Sequence, residues 1–144
     1  MKNEDEEPKE YFERNIVFVS IVAIIGLGLD YLSFYILQQT NPWGTLIAIP
    51  GLAISLQALW LTMHPYAIVY EDRLMIKQSL FYNKQFYYLD AKAIESNNSN
   101  FLTMIYNDDD KVRLPLMGIR GSHRDLFYKK LQEKISKSLA NRNF

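Results

Sequence analysis

Few side chains in this sequence are of types that do chemistry, and most of them stand where a reactive site is hard to assemble. Asp30 is the sharpest case. It is the only Asp, Glu, Lys or Arg between Asn15 and Met63, inside an apolar run where an unpaired charge is expensive. A carboxylate there can serve as an ion or proton site, or as the contact for a charged partner subunit. It can also lie hydrated near an interface, capped by Gln57, Thr45 or a backbone group. The polar stretch that follows within one to two helical turns favours this second reading. Asp108-Asp109-Asp110 offers the oxygen ligands that calcium takes, but it lacks the alternating ligands and distal glutamate of a calcium loop, so it reads as a solvated hairpin turn. His64 and His123 are the only histidines, and no ligand set is spaced near either. Ser20, Ser33 and Ser55 lie inside apolar runs, with no nucleophile elbow or phosphate loop anywhere. The absence of cysteine removes disulfides, thiolate zinc sites and thiol nucleophiles. No metal or cofactor is therefore expected, and the chain reads as a non-enzyme.

A binding site is easier to draw than a catalytic one. Arg73, Lys77 and Lys84 fall close together just after the second apolar run. Bases in that position can meet anionic headgroups, each contributing about 1 kcal/mol near the surface. Glu71 and Asp72 beside them fit an ordinary solvated edge equally well. Nucleic acid is not an expected partner, because the positive charge is spread out and the aromatics have strand-core spacing.

These residues are positioned by strongly segregated elements. Residues 1–14 carry six acids and three bases and read as a disordered acidic tail. Asn15–Leu37 and Trp43–Met63 are apolar runs of spanning length, 23 and 21 residues. Only Gln38-Gln39-Thr40-Asn41-Pro42 separates them, which predicts an antiparallel transmembrane hairpin. A cleaved signal peptide is not expected, given the acidic leader, the long apolar core and the missing cleavage motif. Gly26 and Gly28, with Ser20 and Ala23, form a small-residue strip for helix packing or a homodimer contact, and Pro50-Gly51 should bend the second helix. The connecting turn has no base, whereas the part after His64 has thirteen Lys/Arg against nine Asp/Glu, a net of +4. Both ends are therefore expected on the cytoplasmic side of an inner membrane. Tyr11, Phe12, Trp60 and Tyr66 are expected at the inner interface, and Phe34, Tyr35 and Trp43 at the outer one.

Beyond His64 the hydrophobic period becomes two. Strands are expected at Tyr66–Tyr70, Arg73–Leu80, within Phe81–Leu89 after a turn at Asn83-Lys84, weakly at Ala91–Glu95, and at Phe101–Tyr106 and Lys111–Leu116. Leu74, Ile76 and Gln78 should share one face. A closing helix over 122–140 has Ser122 as its N-cap and a stripe of Leu126, Phe127, Leu131, Ile135 and Leu139. The fold class is α+β: a two-helix transmembrane hairpin, then a small antiparallel β-barrel or sandwich over 64–144 capped by a C-terminal helix.

Tyr66–Phe81 and Lys111–Leu139, together with two preceding spans, resemble the bacterial pleckstrin-homology-like (PH-like) membrane proteins, the YcxB-like and related groups. The resemblance implies a cytoplasmic PH-like domain on a membrane anchor, with phosphoinositide-type recognition by bases in the region of Arg73, Lys77 and Lys84. The expected function is a non-enzymatic scaffold that presents this domain to a protein partner or to a second copy of itself. The alternatives are an anionic-lipid reader, an accessory or ion-coupling subunit using Asp30, and an immunity-type protein. Membrane lipids are an expected partner in every case.

Overall fold

The computed structural model describes residues 10–98 and 100–142. The described chain opens with a short strand, β1 (Glu10–Phe12), and then enters α1 (Ile16–Gln38). Asn15 starts this helix: its side-chain oxygen accepts the Val17 N–H at 3.0 Å, satisfying one of the amides that a first turn leaves open. Thr40 makes the reversal with a positive φ of 59°. The Asn41 side chain then accepts the Trp43 N–H at 3.1 Å as α2 (Trp43–Met63) begins, with Pro42 just outside it, where its missing N–H is harmless.

Both helices are long and apolar enough to cross a membrane. They pack antiparallel through small residues, which let the backbones approach. A Cβ added to Gly26 would run into Ser55, one on Gly51 into Asp30, and one on Gly44 into Leu37 and the Ser33 carbonyl. Gly28, expected in the same strip, faces open space. Away from that seam most Leu and Ile side chains are exposed on both helices, as are Phe18 and Phe34 on α1.

The alternating half of the chain forms two antiparallel sheets. In the first, β2 (Ala67–Val69), β3 (Arg73–Lys77) and β4 (Asn83–Tyr87) run as a meander, and β1 adds to the free edge of β2. Glu10 stands opposite Val69 and Phe12 opposite Ala67. A single 3-10 turn, Tyr88–Asp90, leads into the second sheet of β5 (Ala91–Asn98), β6 (Phe101–Tyr106) and β7 (Lys111–Pro115). After another 3-10 turn at Gly121–His123, α3 (Arg124–Arg142) closes the domain. Leu74 and Ile76 from the first sheet, Leu102, Met104 and Leu114 from the second, and Phe127, Leu131 and Ile135 from α3 fill one shared core. The expected barrel or sandwich is thus two separate sheets and a helix, with no closed barrel among the described residues.

Several sequence expectations shift. The tail expected over 1–14 holds a strand at Glu10–Phe12, because pairing with β2 overrides its charged composition; residues 1–9 lie outside the described residues. Phe12 and Tyr66, expected at a membrane interface, are core residues instead. Phe12 is 3 % exposed and meets the edge of Phe127, with ring centroids 4.9 Å apart. The turn expected at Asn83-Lys84 falls earlier, at 78–82, and β5 is longer than expected, with register shifts after Ala91 and Ser96. In α3, Ser122 precedes the helix in the 3-10 turn, and Leu126 is half exposed. The buried stripe is Phe127, Leu131 and Ile135, with Leu139 partly buried, a strict four-residue spacing that puts Leu126 about 100° off the stripe.

Phe12→Ala should destabilise the β domain by about 3–5 kcal/mol, the usual cost of emptying a buried phenylalanine site. Tyr11→Ala, at a position 60 % exposed on the opposite face of β1, should be close to neutral. Denaturation in mild detergent followed by near-ultraviolet circular dichroism compares the two; equal effects would contradict the placement of β1.

Candidate functional site

Both ends of the helical hairpin enter the same folded unit, and the geometry is densest where they do. Arg14, between β1 and α1, donates from Nε to the His64 carbonyl at 3.1 Å and from a terminal nitrogen to the Lys77 carbonyl. Its guanidinium lies against the rings of Trp60 and Tyr66, 5.5 and 5.6 Å from their centroids. Burial pulls the Arg14 pKa below its ordinary value, and the nearby Tyr66 opposes that shift. Burial likewise pushes Tyr66 up to about 12, against the pull of Arg14. The Tyr66 hydroxyl donates to the Pro115 carbonyl at 2.6 Å. Gly118 passes so close to the Tyr66 ring that any Cβ there would collide with it.

The neighbours of Arg14 extend the junction. His64 stacks on Trp60 at 4.5 Å, and its Nδ1 lies 2.9 Å from the Trp60 carbonyl. The Asn15 N–H donates to the Gly118 carbonyl at 2.9 Å, and its side-chain amide to the Met117 carbonyl at 3.3 Å. The Arg120 N–H donates to the Glu13 carbonyl, and their side chains pair at 3.3 Å. Residues 10–15 therefore join the first sheet on one side and the segment after β7 on the other. A cleft of about 270 Å³ opens here between Glu13, Arg14, Val19, Leu61 and His64.

The expected intramembrane polar residues each have a partner. Asp30 accepts the Ser55 hydroxyl at 2.7 Å, not a group on Gln57 or Thr45, because the helix register sets Asp30 against Gly51 and the turn that follows it. Ser33, buried, donates to the Gly44 carbonyl at 2.7 Å. Gln57 accepts the Leu80 N–H at 3.1 Å, tying α2 to the β3–β4 loop.

The three expected binding bases do not form one cluster. Arg73 and Lys77 lie on the face of β3 opposite Leu74 and Ile76, roughly 13 Å apart along the strand. Lys84 stands across from Ile76 and so shares the other face, over the Tyr82 ring at 5.7 Å. Arg73 pairs with Asp72 at 3.1 Å and stacks on Tyr70 at 4.5 Å. Lys77 and Lys84 are at the helix end of the sheet, and Arg73 is at the far end.

That far end holds a site which sequence reading did not single out. Glu71, in the β2–β3 turn, receives Lys134 at 2.6 Å and faces Lys137 at 3.9 Å, and the Lys134 hydrogen bond holds its carboxyl below the ordinary range. Arg142, in the last turn of α3, donates to the Tyr88 and Ala91 carbonyls and to Asn107. Glu71, Lys134, Lys137 and Arg142, with Tyr88 and Leu89, line an open cleft of about 460 Å³. The Tyr88 hydroxyl is buried at its wall without a hydrogen-bond partner among the described residues, and burial raises its pKa. Lys134 and Lys137, off the apolar stripe of the closing helix, are the one trace of this site in the sequence, and that they converge on Glu71 depends on how α3 docks. Mixed charge in an open cleft suits recognition of a charged surface; the carboxylates at 108–110 serve their own turn, Asp108 accepting the Asp110 N–H and Asp109 pairing with Lys92.

No protein-family model, curated protein or solved structure matches this chain.

Arg14→Lys should lower β-domain stability by roughly 2 kcal/mol, since a single ammonium cannot replace two directed guanidinium bonds and the ring contacts. Chemical denaturation checks the value. Tyr66 gives a second expectation, with its sign set by its raised pKa. The native state keeps the proton up to about 12, above the ordinary value of 10, so its stabilisation is whole below pH 10 and is lost as pH rises through 12. Tyr66→Phe should be less stable at neutral pH yet show a shallower loss between pH 10 and 12, read from denaturation midpoints.

Proposed function

We propose that this chain is a non-enzymatic, membrane-anchored binding or scaffold protein, with α1 and α2 spanning a bacterial inner membrane and the β domain offered to a protein partner on the cytoplasmic face. One observation carries the reading: the pairing of β1 with β2, locked by Arg14, brings both ends of the helical hairpin into one domain. If the helices span, the strand before them and the domain after them lie on the same side. The turn between the helices has no base and the domain is rich in them, which favours the cytoplasmic side. The exposed Leu and Ile side chains of both helices would then face lipid instead of water.

A domain attached by one flexible linker would sample many orientations. This one is held at several points, so its far end, with the cleft between Glu71 and α3, points away from the helices in a fixed direction. Pre-set orientation lowers the entropic cost of binding. The PH-like resemblance agrees with a recognition role. An anionic-lipid reader using Arg73, Lys77 and Lys84 together is less well supported, since Arg73 stands at the far end and is paired with Asp72.

The test is purification from membranes in mild detergent with mass spectrometry. A specific protein should accompany the wild-type chain and be lost on Lys137→Glu or Leu89→Lys, changes at exposed positions of the far cleft. Recovery of the chain alone under several conditions, or a partner indifferent to both changes, overturns the proposal.

A further inference from the structure

We infer that the β3–β4 loop, 78–82, is a third membrane contact: its tip, Leu80-Phe81-Tyr82, inserts into the cytoplasmic leaflet alongside α2. The inference rests on the proposed spanning of α1 and α2 and adds a lipid-binding surface on the β domain itself.

The depth of the loop follows from its hydrogen bond to Gln57. That residue lies six positions before the end of α2 at Met63, or roughly 9 Å along the helix axis. It also lies three positions deeper than Trp60, the aromatic residue that stacks on His64 at the helix exit. The Leu80 N–H donates to Gln57 Oε1 at 3.1 Å, so the loop backbone reaches past the level of Trp60 toward the middle of the span. The residues placed there are apolar or amphipathic, and they are uncovered. Phe81 is 92 % exposed, Tyr82 55 % and Leu80 40 %. On the same stretch of α2, Leu56, Leu59 and Met63 are also exposed, on other faces of the helix at the same depth.

Part of the loop's backbone is paired within the protein. Gln57 is the only Gln, Asn or charged residue within α2, and the Leu80 amide supplies its acceptor with a donor. Ser79 and Tyr82 exchange backbone hydrogen bonds at 3.1 and 3.4 Å, closing the tight reversal. Lys77 and Lys84 stand at the base of the loop, one on each face of the sheet, where long side chains can carry their ammonium groups to anionic phosphates. Tyr82, under Lys84, fits the headgroup level, where aromatic residues with a polar tip concentrate. Lipid is the occupant that matches, because the tip lies at the depth of exposed α2 side chains that the same bilayer would cover.

The chain has no cysteine, so Phe81→Cys creates a unique thiol at an exposed position. A nitroxide is attached there, and likewise at Leu52→Cys on α2 and Lys111→Cys on β7, in full-length protein reconstituted into phosphatidylethanolamine–phosphatidylglycerol vesicles. Collision with oxygen, which concentrates in lipid, is compared with collision with a water-soluble nickel chelate. The label at position 81 should behave like that at 52, with oxygen favoured, and unlike that at 111. If 52 reports lipid while 81 reports water, the loop inference is overturned and the spanning reading stands. If 52 itself reports water, the spanning reading fails, and the loop inference with it. A label at 81 shielded from both reagents means that protein covers the loop, a second copy included, and also overturns the inference.

Discussion

A single guanidinium sits where the first sheet meets both apolar helices. Arg14 follows the strand that starts the first sheet, precedes the first apolar helix, and spends its donors on carbonyls at the exit of the second helix and the end of β3. Carbonyls at strand and helix ends have no partner within their own element, so a half-buried cation with several directed donors satisfies groups that no single element can. Lysine carries the same charge without that geometry. The rings of Trp60 and Tyr66 complete the enclosure, and burial leaves its mark on the titration of both Arg14 and Tyr66.

The consequence is mechanical. Antiparallel helices joined by a short turn can splay or rotate, and a small domain on one linker can tumble. Here the polypeptide enters the hairpin from a strand and leaves it into the neighbouring strand of the same sheet, so the helices hang from the domain by both ends. Asn15 to Gly118 and Glu13 to Arg120 add ties to the segment after β7. The Leu80 amide on Gln57 adds another farther along α2. Within the hairpin, Asp30 on Ser55 and Ser33 on the Gly44 carbonyl fix the register that the glycines permit. Asp30, Ser33 and Gln57 thus each pair with a group on a neighbouring element.

The parts of the fold that were legible in the sequence are those set by periodicity over many residues. Two apolar runs became two helices with ends within one residue of expectation, and the strands at 67–69, 73–77, 101–106 and 111–115 followed the alternating pattern. The closing helix was legible for the same reason. β1 was not, because three residues, Glu10-Tyr11-Phe12, carry too little pattern to stand out from a charged leader. The loop at 78–82 was misplaced because Asn83-Lys84 is the better turn by composition, yet pairing of Asn83 with Lys77 draws it into β4. Arg73, Lys77 and Lys84 looked like one patch because proximity along the chain says nothing of face, and one step of register sends a strand side chain to the other side.

By itself, then, the sequence determined the segregation of this protein into an apolar hairpin and an α+β domain, because burial of apolar surface acts on local pattern and needs no knowledge of distant contacts. It also determined the absence of thiol chemistry. Tertiary structure alone decided that Arg14 closes the junction, that Asp30 meets Ser55, that Gln57 holds the Leu80 loop and that Glu71 meets Lys134 and Lys137 of α3. Each of these depends on a directed polar contact between residues far apart in sequence, whose partner is chosen only once the apolar elements have docked and left it nowhere else to go.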